Sequence, residues 1–463
     1  MLTDRQGNAV KGATADAVSC FDQAIEAFNL YRGDPLALLD QAVEQAPDFA
    51  MAHIARAWIL ALATEPAATA EAKALVSRIG ALPLDERAAG HLAALAPLLD
   101  GQWSASAQAL DRLNARDPRD LLALQCGHLI DFYRANAREL RDRIARVLPR
   151  WSPDTPGHSI LLGMYAFGLE ECGDYARADD VGRRALGEQP LDCWAHHAVT
   201  HVMEMQGRAA DGIGWMIARE PYWAGDDNFF KVHNWWHRAL FHLQLDEHDE
   251  ALALYDGQIR EGRSAVALDL VDASALLWRL HLLGHDLGSR WLELADAWAP
   301  HADGRTYSFN DWHAVMAWLG AGRQEDVEQI LARYRDDAPA GSEAGRWAQH
   351  TGRALIEGFA AFWRGDYEMA VERLHGSRHI ANAFGGSHAQ RDVIDWTLTE
   401  AAVRAGLRDL AEALAHERLA LKPYSPINRA FLSSTTRIRT LNHGTALRAA
   451  ADAGLWEEAG TRA

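Results

Sequence analysis

Apolar residues recur at steps of three and four along nearly the whole chain, whereas strand-like alternation of Val, Ile or Thr with polar residues is missing. Such steps place the apolar residues on one face of an α-helix. Short breaks rich in Pro, Gly and Asp divide the pattern into segments of about ten to eighteen residues, a typical helix length. The pattern therefore predicts an all-α chain. The breaks are Gly33–Pro35, Ala46–Phe49, Leu82–Asp85, Arg116–Asp120, Ser152–Gly157 and Glu188–Asp192.

One stretch of the chain carries a readable repeat. Residues 163–190 contain Gly-Asp-Tyr at a predicted turn between two helical segments, with small residues where the two helices would touch. The step from Pro156 to Pro190 is 34 residues, which is the period of the tetratricopeptide repeat. A second copy begins at Gly358, and a degenerate unit continues to Pro423. We therefore expect an α-solenoid of stacked, degenerate tetratricopeptide-like helical hairpins.

The composition shifts in the middle of the chain. Residues 191–320 hold ten of the 17 tryptophans and eleven of the 21 histidines, which an even solenoid would spread out. We expect one α-helical repeat domain over 1–463, made of N-terminal repeats (1–190), a His/Trp-rich central region (191–320), and C-terminal repeats with a cap (321–463). A short amphipathic helix, Ala449–Ala459, is predicted to close the array.

Charge and cysteine usage exclude several functions. A net charge of −18 argues against nucleic acid, which needs Lys and Arg to displace counterions, and against an anionic membrane surface. The first residues lack the apolar core of a signal peptide, and no apolar run reaches membrane-spanning length. The four cysteines form no CxxC pair, which fits free thiols in a reducing compartment. We expect a cytoplasmic protein.

The most informative stretch is 191–243. His197, His201 and Glu204 are spaced four and three apart, so a helix would place them on one face. His233 and His237 repeat the four-residue step on what we expect to be a neighbouring helix. Two histidines at this spacing can hold a metal, but the zinc proteases need HExxH and this chain has HAVTH. The alternative is that the imidazoles bond to acids of neighbouring helices and keep the stack in register.

Partners for these histidines come from two later segments. Asp272 lies inside an otherwise apolar run, where a carboxylate needs a specific partner. Asn310, Asp311 and His313 stand at the entrance of another helix. Asn310 or Asp311 can be explained as a helix cap, whereas His313, followed by apolar residues, cannot.

A glycine turn leads into a further helix at Gly385–Asp392, with the sequence GGSHAQRD. Free backbone N–H groups at such a helix start can hold an anion or a carbonyl oxygen. The alternative is a connector whose Arg391 pairs with a nearby acid. The stretch is not a P-loop, and the chain has no GxSxG or GxGxxG motif, so serine-hydrolase and dinucleotide-binding functions have no support.

Four motifs in order, WAHHAVTHVMEMQGR, HNWWHRALFHL, YSFNDWHAVMAWL and GGSHAQRD, resemble the family of tetratricopeptide repeat protein 38. The segment Asp34–Leu60 fits the N-terminal part of the same family. The resemblance covers most of the chain and implies a soluble, cytoplasmic α-solenoid of degenerate repeats, without implying a reaction. Ordinary tetratricopeptide modules bind peptides through exposed Lys, Arg and Asn, whereas the distinctive positions here are His, Asp and Trp.

The leading hypothesis is an enzyme of hydrolase or lyase type, in which the solenoid closes around a Trp-lined pocket for a small aromatic or apolar substrate. A carboxylate beside an imidazole fixes its tautomer and raises its basicity, so that acid–base chemistry without a cofactor is sufficient. A divalent metal at the histidine cluster is the second possibility. The candidate catalytic residues are His197, His201, Glu204, His233, His237, Asp272, Asp311 and His313. The candidate substrate-binding residues are Trp194, Trp236, Asn310, Ser387, Gln390 and Arg391.

The competing hypothesis is a non-enzymatic repeat scaffold that binds a peptide or protein partner, the commonest use of this architecture. A homo-oligomer is compatible with either hypothesis. If the protein is an enzyme, the imidazoles should face one enclosed cavity. If it is a scaffold, they should point into separate helix interfaces.

Overall fold

A computed structural model describes residues 2–336, 341–379 and 385–435, and in them the predicted all-α solenoid is confirmed. Two π-helical turns, Tyr255–Ile259 and Ala348–Gly352, and a 3₁₀ turn, Leu148–Arg150, interrupt the helices, and residues 426–435 are also helical. The helices are α1 Ala15–Leu30, α2 Pro35–Gln45, α3 Ala50–Leu62, α4 Pro66–Ile79, α5 Glu86–Leu99, α6 Trp103–Arg116, α7 Leu121–Tyr133, α8 Ala137–Val147, α9 His158–Glu171, α10 Tyr175–Glu188, α11 Cys193–Met205, α12 Ala209–Trp223, α13 Lys231–Gln244, α14 His248–Leu254, α15 Ala267–Leu282, α16 Arg290–Trp298, α17 Ser308–Gly320, α18 Gln324–Asp336, α19 Glu343–Trp347, α20 Arg353–Trp363, α21 Tyr367–Ser377, α22 His388–Arg404 and α23 Arg408–Leu421.

Each predicted break lies between two helices, and several breaks end in a side-chain cap. The carboxylates of Asp34, Asp120 and Asp192 accept hydrogen bonds from backbone N–H groups three residues later. A cap of this kind satisfies one of the N–H groups that the first turn of a helix leaves unpaired. The acids in the breaks therefore set where α2, α7 and α11 begin.

The two predicted repeat copies form the hairpins α9–α10 and α20–α21, each with a glycine at positive φ in the turn. Small residues let neighbouring helices touch, as the repeat pattern requires. A Cβ added to Gly182 of α10 would lie 2.7 Å from a methyl group of Val199 on α11. These two hairpins thus confirm that the array is tetratricopeptide-like.

A small strand pair near the N-terminus was not expected from the sequence. Strand β1, Leu2–Thr3, pairs antiparallel with β2, Ala9–Val10. Asp4 stabilises the turn between them, because its Oδ1 accepts hydrogen bonds from the backbone N–H groups of Gln6 and Asn8. Strands of two residues are too short to produce an alternating pattern, which explains why the sequence analysis missed them.

The array closes on itself, so that its middle helices are enclosed. Helix α22 packs against α11 and α15, and α19 packs against α6. The hydroxyl of Tyr307 donates to the carbonyl oxygen of Tyr133 at 3.0 Å, and the Asn310 side chain donates to the carbonyl oxygen of Thr64 at 3.0 Å. Among the described residues, no helix is long and apolar enough to cross a membrane. The predicted capping helix Ala449–Ala459 lies outside the described residues.

Candidate functional site

Three histidine side chains converge at the centre of the closed array. Helix α11 provides His197, and α13 provides His233 and His237, all of them buried. The Nε2 atom of His197 lies 2.9 Å from that of His233 and 3.2 Å from that of His237. The Nε2 atoms of His233 and His237 lie 3.2 Å apart. The four-residue step on α13 thus produces the convergence that the sequence suggested.

Two carboxylates fix the orientation of two of these rings by bonding to the nitrogen that faces away from the cluster. Nδ1 of His233 donates to Asp272 Oδ2 at 2.7 Å, and Nδ1 of His237 donates to Glu204 Oε2 at 2.9 Å. In the neutral form each of these rings then has its proton on Nδ1 and a free lone pair on Nε2. A proton on Nε2 of His197 can be donated to only one of these two lone pairs. The other nitrogen is then left without a donor among the described residues unless a cation lies between the three nitrogens.

The geometry matches that of a transition-metal site. At a metal–nitrogen distance of about 2.1 Å, adjacent ligand nitrogens are roughly 3.0 Å apart in an octahedron and roughly 3.4 Å apart in a tetrahedron. The three separations of 2.9, 3.2 and 3.2 Å therefore suit three ligands on one face of a metal ion. A carboxylate bonded to the second nitrogen of a ligating histidine is the usual outer shell of such sites.

The electrostatic environment keeps the imidazoles in the form that binds metal. Burial, with the neighbouring histidines adding to it, holds the pKa of His197 and of His237 well below 6.5. Burial also lowers the pKa of His201 to about 4. A metal needs the neutral ring, so protons compete weakly for His197, His201 and His237 at neutral pH.

His201, the fourth histidine, adjoins the other three but has different neighbours. Its ring centroid lies 4.3 Å from that of His197 and 4.5 Å from that of His237. Its Nδ1 is 3.4 Å from Oε2 of Glu170, and neither ring nitrogen has a hydrogen-bond partner. One ligand atom of His201 lies within 4.8 Å of ligand atoms of the other three histidines.

The carboxylates behind the rings have partners of their own. The Gln390 amide donates to Asp272 Oδ1 at 3.3 Å, so the start of α22 supports the His233 pair. Lys422 Nζ lies 3.6 Å from Glu204 Oε1. The cluster is therefore held by four helices and the segment after α23.

An apolar cavity of about 400 Å³ reaches the cluster from one side, with His197 and His233 in its wall. It extends to the partly exposed side chains of Phe229 and Val266, and hence to the protein surface. Among the described residues that line it, Asp34 is the one acid and none is a Lys or Arg. The rest of the wall is mainly apolar or aromatic and includes Phe28, Tyr31, Leu62, Phe132, Tyr133, Trp194 and Phe230.

The predicted tryptophan wall is only partly present. Trp194 lines the cavity and lies 5.0 Å from the His197 ring between centroids. Trp236 is instead fully buried and does not line the cavity; its ring is stacked on that of His233 at 5.3 Å and lies 4.8 Å from that of His237. The cavity owes its apolar character to Phe, Tyr and Leu, because most of the central tryptophans fill helix interfaces.

Asp311 and His313 do not join the cluster, contrary to the sequence-based hypothesis. Asp311 accepts hydrogen bonds from the Gly304 backbone N–H at 3.0 Å and from the Tyr334 hydroxyl at 2.8 Å. His313 donates from Nδ1 to the Phe309 carbonyl oxygen at 2.8 Å. Both contacts are local to α17 and the elements packed on it, so these two residues hold the fold together there.

The remaining predicted substrate-binding residues make contacts that hold the helical array closed. Asn310 joins α17 to Thr64, as described above. Ser387 and Gln390 form a reciprocal capping box at the start of α22. Arg391 donates to the carbonyl oxygens of Gly385 and Gly386, and its guanidinium lies 3.5 Å from Glu171. The connector interpretation with an acidic partner for Arg391 therefore describes this segment.

Sequence reasoning missed Glu170, Glu171 and Lys422. The two glutamates end helix α9 of a repeat hairpin, where acids usually face water, yet both are buried here. The available signal was a pair of consecutive acids directly after the apolar run LLGMYAFGL.

Comparison with known proteins adds little to the geometry. No family model matches the chain. A stretch of 111 residues is 30% identical to cellulose synthase 1 operon protein C of Komagataeibacter xylinus, and it covers 24% of this chain but only 8% of that protein. The Cut9–Hcn1 hetero-tetramer of the APC/C is similar over 90% of this chain and 76% of that chain, with 14% identity and a TM-score of 0.43.

A human IFIT1 dimer with PPP-AAAA is similar over 93% of this chain and 96% of that chain, with 11% identity and a TM-score of 0.41. Scores of this size carry no inference about function. The function must be argued from the site itself.

Proposed function

We propose that the protein is a metal-dependent hydrolase of small apolar molecules, with His197, His233 and His237 as the metal ligands. The observation that carries the proposal is the convergence of three Nε2 atoms at 2.9 to 3.2 Å, two of them on rings whose Nδ1 atoms donate to buried carboxylates. Three protein ligands leave a coordination position for water, as in catalytic zinc sites. Asp272 and Glu204 offset the charge of the ion.

The cavity supports the choice of substrate. An ester or amide with an apolar body would place that body against Phe132 and Leu62, and its carbonyl group beside His197 and His233. A metal held by His197, His233 and His237 would lower the pKa of its water to about 7 and polarise a carbonyl group. The water oxygen would add to the carbonyl carbon, the bond to the leaving group would break, and the leaving group would take a proton from the water.

A lyase reaction would use the same ion to polarise a carbonyl group without consuming water. The product distinguishes the two reactions, because hydrolysis transfers solvent oxygen to the acyl product. The cavity wall offers no cation for a negatively charged substrate body, so a neutral body suits either reaction.

The competing proposal, a non-enzymatic scaffold for a peptide or protein partner, draws on the tetratricopeptide-like hairpins. It explains the fold but gives no reason for unprotonated imidazole nitrogens to face one another. The four ordered His- and Trp-containing motifs also support placing the chain beside the family of tetratricopeptide repeat protein 38, again as a proposal.

The test is hydrolysis of p-nitrophenyl esters of increasing acyl length by purified protein before and after metal removal with dipicolinate. We expect metal removal to abolish hydrolysis, and one added equivalent of Zn²⁺, Mn²⁺ or Fe²⁺ to restore it. His237→Ala should lose its activity and one equivalent of metal, whereas His313→Ala, a matched buried histidine outside the cluster, should keep the metal content of the wild type. Hydrolysis that survives complete metal removal, or a His237→Ala variant with the metal content of the wild type, would contradict the proposal.

A further inference from the structure

We infer that Glu170, Glu171 and His201 form a second binding site for a divalent transition-metal ion, next to the three-histidine centre. One ligand atom from each of the three side chains lies within 4.8 Å of the others, and all three residues are buried. Two carboxylates and one imidazole are donors that Zn²⁺, Mn²⁺ and Fe²⁺ accept. The inference goes beyond the proposed hydrolysis, because one ion is sufficient for that reaction.

Two of the three side chains, those of Glu170 and His201, have unsatisfied polar atoms. Within the described residues, both carboxylate oxygens of Glu170 and both ring nitrogens of His201 lack a hydrogen-bond partner. The distance of 3.4 Å from Glu170 Oε2 to His201 Nδ1 exceeds the usual hydrogen-bond length of about 2.7–3.2 Å. Buried polar groups in native proteins are nearly always paired, and leaving them unpaired costs about 1–3 kcal/mol each. A bound cation would pair both side chains.

The neighbouring cations do not fill this role. Glu171 accepts a hydrogen bond from the His388 backbone N–H at 3.0 Å and has the Arg391 guanidinium at 3.5 Å. Lys422 lies beside Glu204 at 3.6 Å. These contacts leave the carboxylate of Glu170 without a basic side chain in hydrogen-bond contact within the described residues.

A second cavity, which shares no lining residue with the apolar cavity among the described residues, leads to Glu171 of this group. This cavity of about 330 Å³ is lined by Glu171, His388, Arg391 and Lys422, and it also contains exposed polar side chains. A hydrated cation can reach Glu171 through this polar cavity. The two ions would then be neighbours, because the His201 ring contacts the rings of His197 and His237.

The test is the metal-to-protein ratio by inductively coupled plasma mass spectrometry after equilibration with Zn²⁺ and gel filtration. We expect two ions per chain in the wild type and one in Glu170→Gln. His233→Ala should keep one ion, bound at the second site. Glu188→Gln is the matched control, since Glu188 also pairs with a buried histidine, His158 at 2.9 Å, but lies outside both groups. It should keep two ions.

Each result separates this inference from the proposed function. A wild-type ratio of one that falls to zero in His233→Ala overturns the second site and leaves the three-histidine centre intact. A ratio of two that Glu170→Gln does not change overturns the assignment of the second ion to these residues. A wild-type ratio of zero overturns both. Circular dichroism melts of each variant show whether a lost ion reflects unfolding, and Glu170→Asp, which keeps the carboxylate, should recover the ratio of two if Glu170→Gln unfolds.

Discussion

His233 and Asp272 are joined by a 2.7 Å hydrogen bond from Nδ1 to Oδ2, in a place where both side chains are almost fully buried. The bond connects α13 to α15 and determines which nitrogen of His233 faces the other two imidazoles. A buried carboxylate that accepts this proton makes the opposite nitrogen a stronger metal ligand. The pair therefore provides a direct way to test the metal centre without removing a ligand.

Asp272→Asn is expected to lower metal affinity by roughly 10- to 100-fold while the three imidazoles stay in place, the usual cost of changing such an outer partner. The affinity can be measured by competition with a fluorescent chelator. Asp311→Asn is the control, because Asp311 is an equally buried aspartate whose partners are Gly304 and Tyr334. An equal loss of affinity in the two variants would contradict the proposed role of Asp272.

The depressed pKa of His201 predicts how stability depends on pH in metal-free protein. Its pKa is about 4 in the folded chain and about 6.5 in the unfolded chain, so between these values the unfolded chain binds more protons. Its contribution to stability is present above pH 6.5 and is lost as the pH falls to 4. One pKa unit corresponds to about 1.4 kcal/mol. As the pH falls from 6.5 to 4, the free energy of unfolding of the wild type should therefore decrease by about 3 kcal/mol more than that of His201→Asn.

Urea unfolding of wild type and His201→Asn at several pH values measures that difference directly. Comparing the two proteins removes the opposing contribution of buried acids such as Asp192 and Asp311, whose pKa values are raised to about 7 by burial in both proteins. The difference in the free energy of unfolding should be larger at pH 7 than at pH 4. A difference that does not change with pH would show that His201 titrates normally.

Filling the apolar cavity should change substrate preference while sparing the metal. Ala63 lies in the cavity wall at the end of α3, so Ala63→Trp would occupy space needed by a long acyl chain. We expect kcat/KM for long-chain esters to fall by at least about 10-fold, the effect of a few lost methylene contacts, with a smaller change for acetate esters. Ala105→Trp on the exposed face of α6 is the control. Equal losses for short and long esters would place the substrate elsewhere.

Any side chain at Gly385, in the turn before α22, should destabilise the protein. A Cβ there would lie 2.1 Å from the Tyr307 hydroxyl oxygen, at a φ of +130°. Gly365 also has positive φ, at +80°, but has open space around its Cβ position. Gly365→Ala should therefore lose about 1 kcal/mol from backbone strain alone, and Gly385→Ala should lose more, because Tyr307 must also move. Thermal unfolding of Gly365→Ala measures the cost of backbone strain alone. Thermal unfolding of Gly385→Ala measures that strain together with the clash with Tyr307.

The sequence was sufficient to predict the hairpins and the histidine pairs because both depend on local spacing. Pairs four residues apart share a helix face wherever that helix lies, which is why His233 and His237 were placed together correctly. Asp272 could be singled out because a carboxylate in an apolar run needs a partner. These features follow from the helix period and from the cost of burying charge.

Other parts of the site depend on how the array closes, which no local pattern encodes. Asn310 donates a hydrogen bond to Thr64, 246 residues away in sequence, so its position depends on the closure of the array. Glu170 occupies a position that faces water in an open repeat, and it is buried here in contact with His201 of the neighbouring helix. Trp236 could not be assigned to a wall or a core without knowing which face of α13 meets α15.

Anomalous diffraction at a metal absorption edge, from crystals of protein purified without chelators, is the decisive test of the three-histidine metal site. We expect a strong peak about 2.0–2.2 Å from Nε2 of His197, His233 and His237, with Asp272 and Glu204 bonded to the far side of two of the rings. An empty space among the three nitrogens after equilibration with Zn²⁺, Mn²⁺ and Fe²⁺, with the rings bonded only to protein groups, would contradict it.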